Sequence, residues 1–291
     1  MKMQPLIRRL LKRARNAFFR ELRRGIDPRS SKEAQLILYH TYRDMASRGI
    51  VPSFSDVGFR CYSQFEEDGI LLFIFSLIGT TNKVAVEICA GNGIECMSTN
   101  LILNHGWWGY LFDGSESNVN EGHEFFRKSK DTFLFPPKFT RAWVTAENVN
   151  SVIQEAGVKG DIDLLALDID GMDYWVWKEI ECIKPRVVVC ETHGIIGAED
   201  ALTVPYNPDF VITTPDYHSA SLAAMTKLAK EKGYRLIGTH RYGFNAFFIL
   251  DEIGDDIFPS VTPAECLQDP YTLEAHSVRW PKVKNMDWIK V

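Results

Sequence analysis

Short apolar strands and amphipathic helices alternate along most of this sequence, and this order constrains the fold more than any other feature. The strand candidates are apolar throughout and include VAVEICA from Val84, WGYLFDG from Trp108, IDLLALDI from Ile162 and RVVVCET from Arg186. Such strands are buried on both faces, as in a parallel sheet between two layers of helices. The sequence therefore predicts an α/β protein with a Rossmann-like, doubly wound sheet.

The pattern ends in two strands, YRLIGTH from Tyr234 and NAFFILD from Asn245, which are separated by a short linker containing Gly243. A short linker with glycine between two such runs indicates a hairpin. A terminal antiparallel hairpin is therefore expected on the sheet.

The length of 291 residues suits one main domain with extensions. We expect a basic amphipathic helical extension over residues 1–58, the main domain over 59–252, and a C-terminal extension over 253–291 that packs on it.

Two helices have recognisable starts or ends. Ser63 followed by Glu66 is the spacing of a capping box and predicts that a helix begins there. The stretch ECMSTNLILNHG predicts a helix over residues 95–106 that Gly106 closes.

Positive charge is concentrated at the N-terminus, where residues 1–30 carry ten Lys/Arg and two acidic residues. Residues 5–25 combine helical spacing of apolar side chains with arginines on the other face. This helix could pack on its own domain, pack on a second subunit in a homo-oligomer, contact an anionic membrane surface peripherally, or act as an organelle transit peptide. A nucleic-acid partner is disfavoured, because the rest of the chain is acidic and repels phosphate.

Six cysteines occur without a CxxC pair, and several lie in apolar runs. They are interpreted as reduced thiols in the core of a cytoplasmic protein. The sequence has no apolar stretch approaching the ~20 residues that span a bilayer, and its N-terminus lacks the apolar segment of a secretory signal.

A glycine turn follows the first strand candidate. Glu87 precedes Gly91 and Gly93, and glycines at a strand-to-helix turn let backbone amides approach a ligand closely. A dinucleotide fingerprint requires a third glycine where this chain has Cys96. Asp113 ends the next strand, where an acidic side chain can accept both ribose hydroxyls of a nucleoside. Together these residues favour S-adenosylmethionine, whose cationic groups suit nearby acids.

Acidic side chains also follow the later strands. Asp168 and Asp170 come at the end of one strand, and Glu191 and His193 at the end of the next. Residues two apart share a side of an extended strand, so these groups are expected to converge. Asp168, Asp170 and Glu191 could hold Mg²⁺ or Mn²⁺; alternatively Asp168 faces the cofactor while Asp170 or His193 accepts the substrate proton.

Two further residues belong to this region. His218 is a second candidate base, because it lies beside Tyr217 in the insertion after the strand. Asp173 is interpreted as a residue that starts the next helix.

Several blocks in order resemble the class I S-adenosylmethionine-dependent methyltransferases, and within them the FkbM-like family. The blocks are SQFEEDGIL, VAVEICAGNG, GYLFDG, DLLALDIDGMDYWVWKEI, PRVVVCE, SASLAAMTKLAKEKGYRLIG and NAFFIL. The resemblance implies seven strands with the last one antiparallel, and O-methylation of a hydroxyl on a sugar or glycosylated metabolite.

The same resemblance assigns roles to residues. It implies that Glu87, Gly91 and Gly93 bind the methionine part of the cofactor, that Asp113 binds its ribose, and that Val144 and Thr145 lie near adenine. Members tend to have Glu-Tyr-Asn after the fifth strand, whereas this chain has Glu-Thr-His at residues 191–193. This departure lies where the acceptor, a small molecule or glycan, is expected.

Two other functions remain open. In a metal-dependent glycosyltransferase, Asp168-Ile169-Asp170 would be a DxD motif that binds a nucleotide sugar, but the glycine turn would then have no use. A binding module that keeps the fold without turnover is the other alternative.

Overall fold

The computed structural model describes residues 28–291, and its side chains from residue 31 onward. The basic helix predicted over residues 5–25 lies outside the described residues. The chain divides into two compact units, one ending at Thr41 and the other comprising Tyr42–Val291. The site described below lies within the second unit.

A seven-stranded sheet forms the centre of the second unit, with strand order β3-β2-β1-β4-β5-β8-β7. The strands are β1 Val84–Ile88, β2 Trp108–Asp113, β3 Lys138–Arg141, β4 Gly160–Leu167, β5 Ile183–Glu191, β7 Tyr234–Thr239 and β8 Asn245–Leu250. Strands β1 to β5 pair in parallel, whereas β8 is antiparallel to both β5 and β7. The predicted Rossmann-like α/β sheet and its antiparallel last strand are confirmed.

Helices lie between the strands and beyond both ends of the sheet in sequence. Those in the described residues are α1 Pro28–Ser47, α2 Phe54–Val57, α3 Glu67–Ile78, α4 Thr99–His105, α5 Glu116–Lys128, α6 Val149–Glu155, α7 Asp173–Glu179, α8 Leu222–Glu231, α9 Pro263–Cys266 and α10 Pro270–Val283. A second sheet pairs β6 Leu202–Thr203 with β9 Ile289–Lys290. Across residues 28–291, no helix has both the length and the apolar character needed to cross a membrane.

Two of the predicted helix boundaries are wrong. Helix α3 begins at Glu67 rather than near Ser63, because the Asp68 carboxylate accepts backbone N–H bonds from Cys61, Tyr62 and Ser63 and holds that segment in a loop. Helix α4 begins at Thr99 rather than near residue 95, and it ends as predicted at Gly106, whose φ is +67°.

The central strands are buried as their composition requires. Leu164 and Leu165 of β4 and Val187 and Val188 of β5 are completely buried, so helices cover both faces of the sheet. The polar end of each strand therefore becomes functionally informative, because it lies outside this core.

Candidate functional site

A cavity of about 350 Å³ lies at the carboxyl edge of the parallel strands. Its lining residues are Gln64, Glu67, Glu87, Cys89, Gly91, Glu95, Cys96, Met97, Asp113, Asn118, Asp168, Asp170 and Asn245. Six of these carry a carboxylate, and no lysine, arginine or histidine of the described residues is among them. The cavity is therefore suited to a ligand with positive charge.

The glycine turn after β1 has three residues with left-handed backbone, Cys89 at φ +63°, Gly91 at +56° and Gly93 at +70°. A Cβ at Gly93 would come within 2.8 Å of the Phe126 ring, so this glycine is required for packing. A Cβ at Gly91 would have no neighbour closer than a Glu95 carbonyl oxygen at 3.9 Å. Gly91 lines the cavity, and its open side is where a ligand can approach the backbone.

Glu87 lines the cavity, but its carboxylate already binds the loop before α4. It accepts hydrogen bonds from the Met97 and Ser98 backbone N–H groups at 2.8 Å and from the Cys96 thiol at 3.0 Å. Cys96, at the position of the missing third glycine, therefore helps to fix the acid. Glu87 shapes the turn, and the sequence pattern contained no sign of these bonds.

Asp113 ends β2 and lines the same cavity, with 8% of its surface exposed. Its Oδ1 accepts hydrogen bonds from the Ser115 N–H at 2.8 Å and from the Asn118 amide at 3.0 Å. Both bonds fall on one oxygen, so Oδ2 is the atom available to a ligand hydroxyl. The ribose-binding role expected from the sequence stays a prediction.

Val144 and Thr145 follow β3 and are not among the residues that line the cavity. Val144 packs against the hydrophobic core, and the Thr145 N–H donates to the Asn148 side chain at 2.9 Å. Their expected place near adenine therefore stays a prediction.

Asp168, Asp170 and Glu191 converge beyond the ends of β4 and β5. One carboxylate oxygen from each lies within 4.8 Å of the other two. Burial raises the pKa of Asp168 well above its usual range, and the carboxylates of Asp173 and Asp170 raise it further. The pKa of Glu191 is raised in the same way by burial and by Asp168.

The loop that carries these acids is held by Asp173, the first residue of α7. Its carboxylate accepts the Ile169 N–H at 2.9 Å and the Gly171 N–H at 3.3 Å. Burial raises the pKa of Asp173 to about 6. Asp170 lies in the middle of this loop with φ +54°, and its side chain is exposed.

His193 is 5% exposed and does not line the cavity. Its Nε2 lies 3.0 Å from the Asp216 carbonyl oxygen, which can only accept, so Nε2 carries the proton. Burial and the neighbouring His218 lower the pKa of His193 to about 3.

His218 connects this buried histidine to the acidic cluster. The two imidazole rings lie 4.1 Å apart between centroids. Ser219 Oγ lies 2.9 Å from His218 Nδ1 and 2.7 Å from Glu191 Oε2. A chain of polar groups therefore runs from His193 through His218 and Ser219 to Glu191.

Glu67 and Asn245 line the cavity and had no role in the sequence analysis. The Asn245 amide nitrogen donates to Glu67 Oε1 at 2.8 Å, and both side chains are buried. Glu67 belongs to the block SQFEEDGIL, which supported a family resemblance without indicating a function. Asn245 was not identifiable because only strand pairing brings it to this edge.

No protein-family model matches this sequence, and no curated protein is significantly similar to it. Among solved structures, the magnesium protoporphyrin IX methyltransferase of Synechocystis with bound S-adenosylmethionine shares 12% identity over 57% of this chain and 69% of that chain, with a TM-score of 0.38. An S-adenosylmethionine-dependent methyltransferase of Clostridium acetobutylicum shares 12% over 72% and 96%, with a TM-score of 0.40. A glycopeptide N-methyltransferase complexed with S-adenosylhomocysteine shares 11% over 68% and 95%, with a TM-score of 0.41. Similarity at this level carries no information about activity.

Proposed function

We propose that the protein is an S-adenosylmethionine-dependent O-methyltransferase that acts on a hydroxyl of a sugar or glycosylated metabolite. One observation carries the proposal: the cavity beside the glycine turn is lined by six carboxylates and by no cationic side chain of the described residues. Such a lining favours a ligand with a sulfonium and an ammonium group over one with a pyrophosphate. The sugar acceptor follows from the resemblance of the sequence blocks.

The residues of the cavity fit this cofactor. Gly91 leaves the backbone open to a ligand, and Asp113 offers Oδ2 to ribose hydroxyls. The cavity volume of about 350 Å³ lies within the range of small-molecule and cofactor sites, roughly 300–1,000 Å³. When bound, S-adenosylmethionine supplies an electrophilic methyl group on its sulfonium.

Asp170 is the proposed proton acceptor for the substrate hydroxyl. It is the exposed member of the acidic cluster and lines the cavity, so an acceptor can reach it. Asp168 is more enclosed and faces the cofactor in this proposal. Replacing Asp170 by Asn should lower kcat by about 10²- to 10⁴-fold while leaving S-adenosylhomocysteine binding intact, because only the proton transfer is lost.

His193 lies outside the cavity and is connected to the acidic cluster only through other residues. Through His218 and Ser219 it is connected to Glu191, so we propose that it positions Glu191 and does not itself contact the substrate. Its low pKa keeps the ring neutral at physiological pH.

Asp168, Asp170 and Glu191 are also the residues that would hold Mg²⁺ or Mn²⁺, because their oxygens lie within 4.8 Å of one another. An ion there would lower the pKa of the acceptor hydroxyl. Without an ion, burial and repulsion between the carboxylates raise the pKa of Asp168 and Glu191, which favours a proton held within the cluster. If EDTA abolishes the methyltransferase activity and Mn²⁺ restores it, the cluster binds a metal ion. If EDTA leaves the activity unchanged, the cluster works without a metal ion.

Calorimetry tests the proposal against its alternatives. The protein should bind S-adenosylmethionine and S-adenosylhomocysteine, and Asp113→Asn should weaken both by about 10- to 100-fold through the lost ribose bond. Binding of a nucleotide sugar with Mn²⁺ in place of these ligands would indicate the glycosyltransferase. Cofactor binding without methyl transfer to any glycan or glycosylated acceptor would indicate a binding module.

A further inference from the structure

We infer that Asn245 and Glu67 form a subsite for the amino group of the cofactor's aminoalkyl chain, an inference that rests on the proposed function. Neither residue belongs to the glycine turn or to the acidic cluster beyond β4 and β5. They come from the start of β8 and the first turn of α3, which meet at the cavity.

An unsatisfied atom points to the ligand. Asn245 is 3% exposed, and its Oδ1 is buried without a hydrogen-bond partner among the described residues. A buried amide oxygen left in this state is costly, and such atoms are rare in native proteins. Asn245 lines the cavity, so we infer that the missing donor is supplied by a bound ligand.

The orientation of the amide is fixed by its neighbour. The Asn245 amide nitrogen donates to Glu67 Oε1 at 2.8 Å, so this nitrogen faces the carboxyl group. Oδ1 then points away from Glu67. Pairing with Glu191 places Asn245 at the carboxyl edge of the parallel strands, because β8 runs in the opposite direction.

Glu67 contributes a buried carboxyl group. It is completely buried and accepts bonds from the Phe65 N–H and from Asn245, both neutral donors. His240 Nε2 lies 3.7 Å from Glu67 Oε1, but burial lowers the pKa of this histidine and so favours its neutral form. A buried carboxylate without a cationic partner is unfavourable, so an ammonium group bound here would stabilise the site.

Glu87, the acid expected to bind the methionine part, is less suited to this task. Its carboxylate already accepts three hydrogen bonds from the Cys96 thiol and from the backbone of Met97 and Ser98. Asn245 therefore supplies the free acceptor that Glu87 lacks.

Binding of three ligands to Asn245→Leu tests the inference. S-adenosylhomocysteine and its decarboxylated form both keep the amino group, whereas methylthioadenosine lacks the whole aminoalkyl chain. We expect the variant to lose about 10- to 100-fold in affinity for the first two and nothing for methylthioadenosine. Glu67→Gln should produce the same selective loss.

Asp113→Asn is the matched control, because loss of a ribose contact should weaken all three ligands alike. Unchanged binding of S-adenosylhomocysteine to Asn245→Leu, or an equal loss for methylthioadenosine, would overturn the subsite. Wild-type protein that binds none of the three ligands would overturn the proposed function instead. If thermal unfolding shows that Asn245→Leu does not fold, Asn245→Ser, which keeps a donor toward Glu67, is titrated in its place.

Discussion

Cys89 shows how one residue can be held in an unfavourable conformation at a ligand site. It occupies the left-handed region at φ +63°, where a side chain other than glycine costs about 1–2 kcal/mol. Cys89 lines the acidic cavity, where enclosure by the protein and the nearby Asp113 carboxylate raise the pKa of its thiol, although much of the residue is exposed.

Cys89→Gly should raise the free energy of unfolding by about 0.5–1 kcal/mol. Glycine adopts positive φ without strain, and this gain in the folded state exceeds the free-energy cost of the greater conformational entropy that glycine gives the unfolded chain. Urea unfolding of both proteins measures the difference. A destabilised variant would show that the side chain contributes more through packing than it costs in strain.

Asp68 should make stability depend on pH. Burial raises its pKa to about 6, so the native state keeps this proton at a pH where the unfolded chain, near ~4, has lost it. The stabilisation by protonated Asp68 is therefore complete below about pH 4, and it is lost as the pH rises through about 6. Relative to Asp68→Asn, the wild type should lose about 1–3 kcal/mol between pH 4 and 7. Parallel stability profiles for the two proteins, measured by urea unfolding across this range, would contradict the assignment.

At the scale of elements, the two glycines of the β1 turn should respond differently to alanine. Gly93→Ala combines positive φ with a Cβ 2.8 Å from the Phe126 ring and should destabilise the protein by about 2–4 kcal/mol. Gly91→Ala has only the backbone cost of about 1 kcal/mol, but its methyl group enters the cavity and should weaken S-adenosylhomocysteine binding. Thermal unfolding measures the stability of both variants, and calorimetry measures their affinity for S-adenosylhomocysteine. If both variants lose the same stability and the same affinity, the two glycines do not have different roles.

The elements also show what sequence alone can predict. Buried parallel strands were recognisable because each is apolar throughout. The convergence of Asp168, Asp170 and Glu191 was predicted from alternation along two neighbouring strands, but Asp170 reaches the cluster from a loop beyond β4 with φ +54° and not from an extended strand. The start of α4 was not recognisable, because Glu87 binds the amides of Met97 and Ser98, ten and eleven residues later. His193 falls outside the alternation because β5 ends at Glu191 and the chain turns away.

At the scale of the whole molecule, the C-terminal segment is connected to the insertion beyond β5. Arg279 of α10 forms an ion pair with Asp216, and β9 pairs with β6 of the insertion. His276 Nδ1 also lies 2.7 Å from the Ile195 carbonyl oxygen. These contacts hold the segment after β5 in place. That segment contains His193 and the Asp216 carbonyl oxygen to which His193 donates.

Arg279→Ala should lower the free energy of unfolding by about 1–3 kcal/mol, because Asp216 is left largely buried without its partner. Affinity for S-adenosylhomocysteine should stay unchanged, since the cavity is lined only by residues between Gln64 and Asn245 that do not contact Arg279. Arg48→Ala, which breaks an exposed pair with Asp44, is the control and should change stability little. A large loss of affinity in Arg279→Ala would mean that the insertion also shapes the cofactor cavity.

The reversed direction of β8 has a consequence for how such a site can diversify. Each parallel strand continues at the cavity edge into a loop, and the longest of these is the insertion of residues 194–219 after β5. Asn245 instead begins its strand, so the chain enters the cavity edge there from the hairpin turn. That turn is constrained, because His240 and Asn245 are buried and the Gly243 carbonyl oxygen accepts a hydrogen bond from the Thr192 hydroxyl. We therefore expect acceptor selectivity to change through the loops that follow the parallel strands, while the hairpin keeps its length.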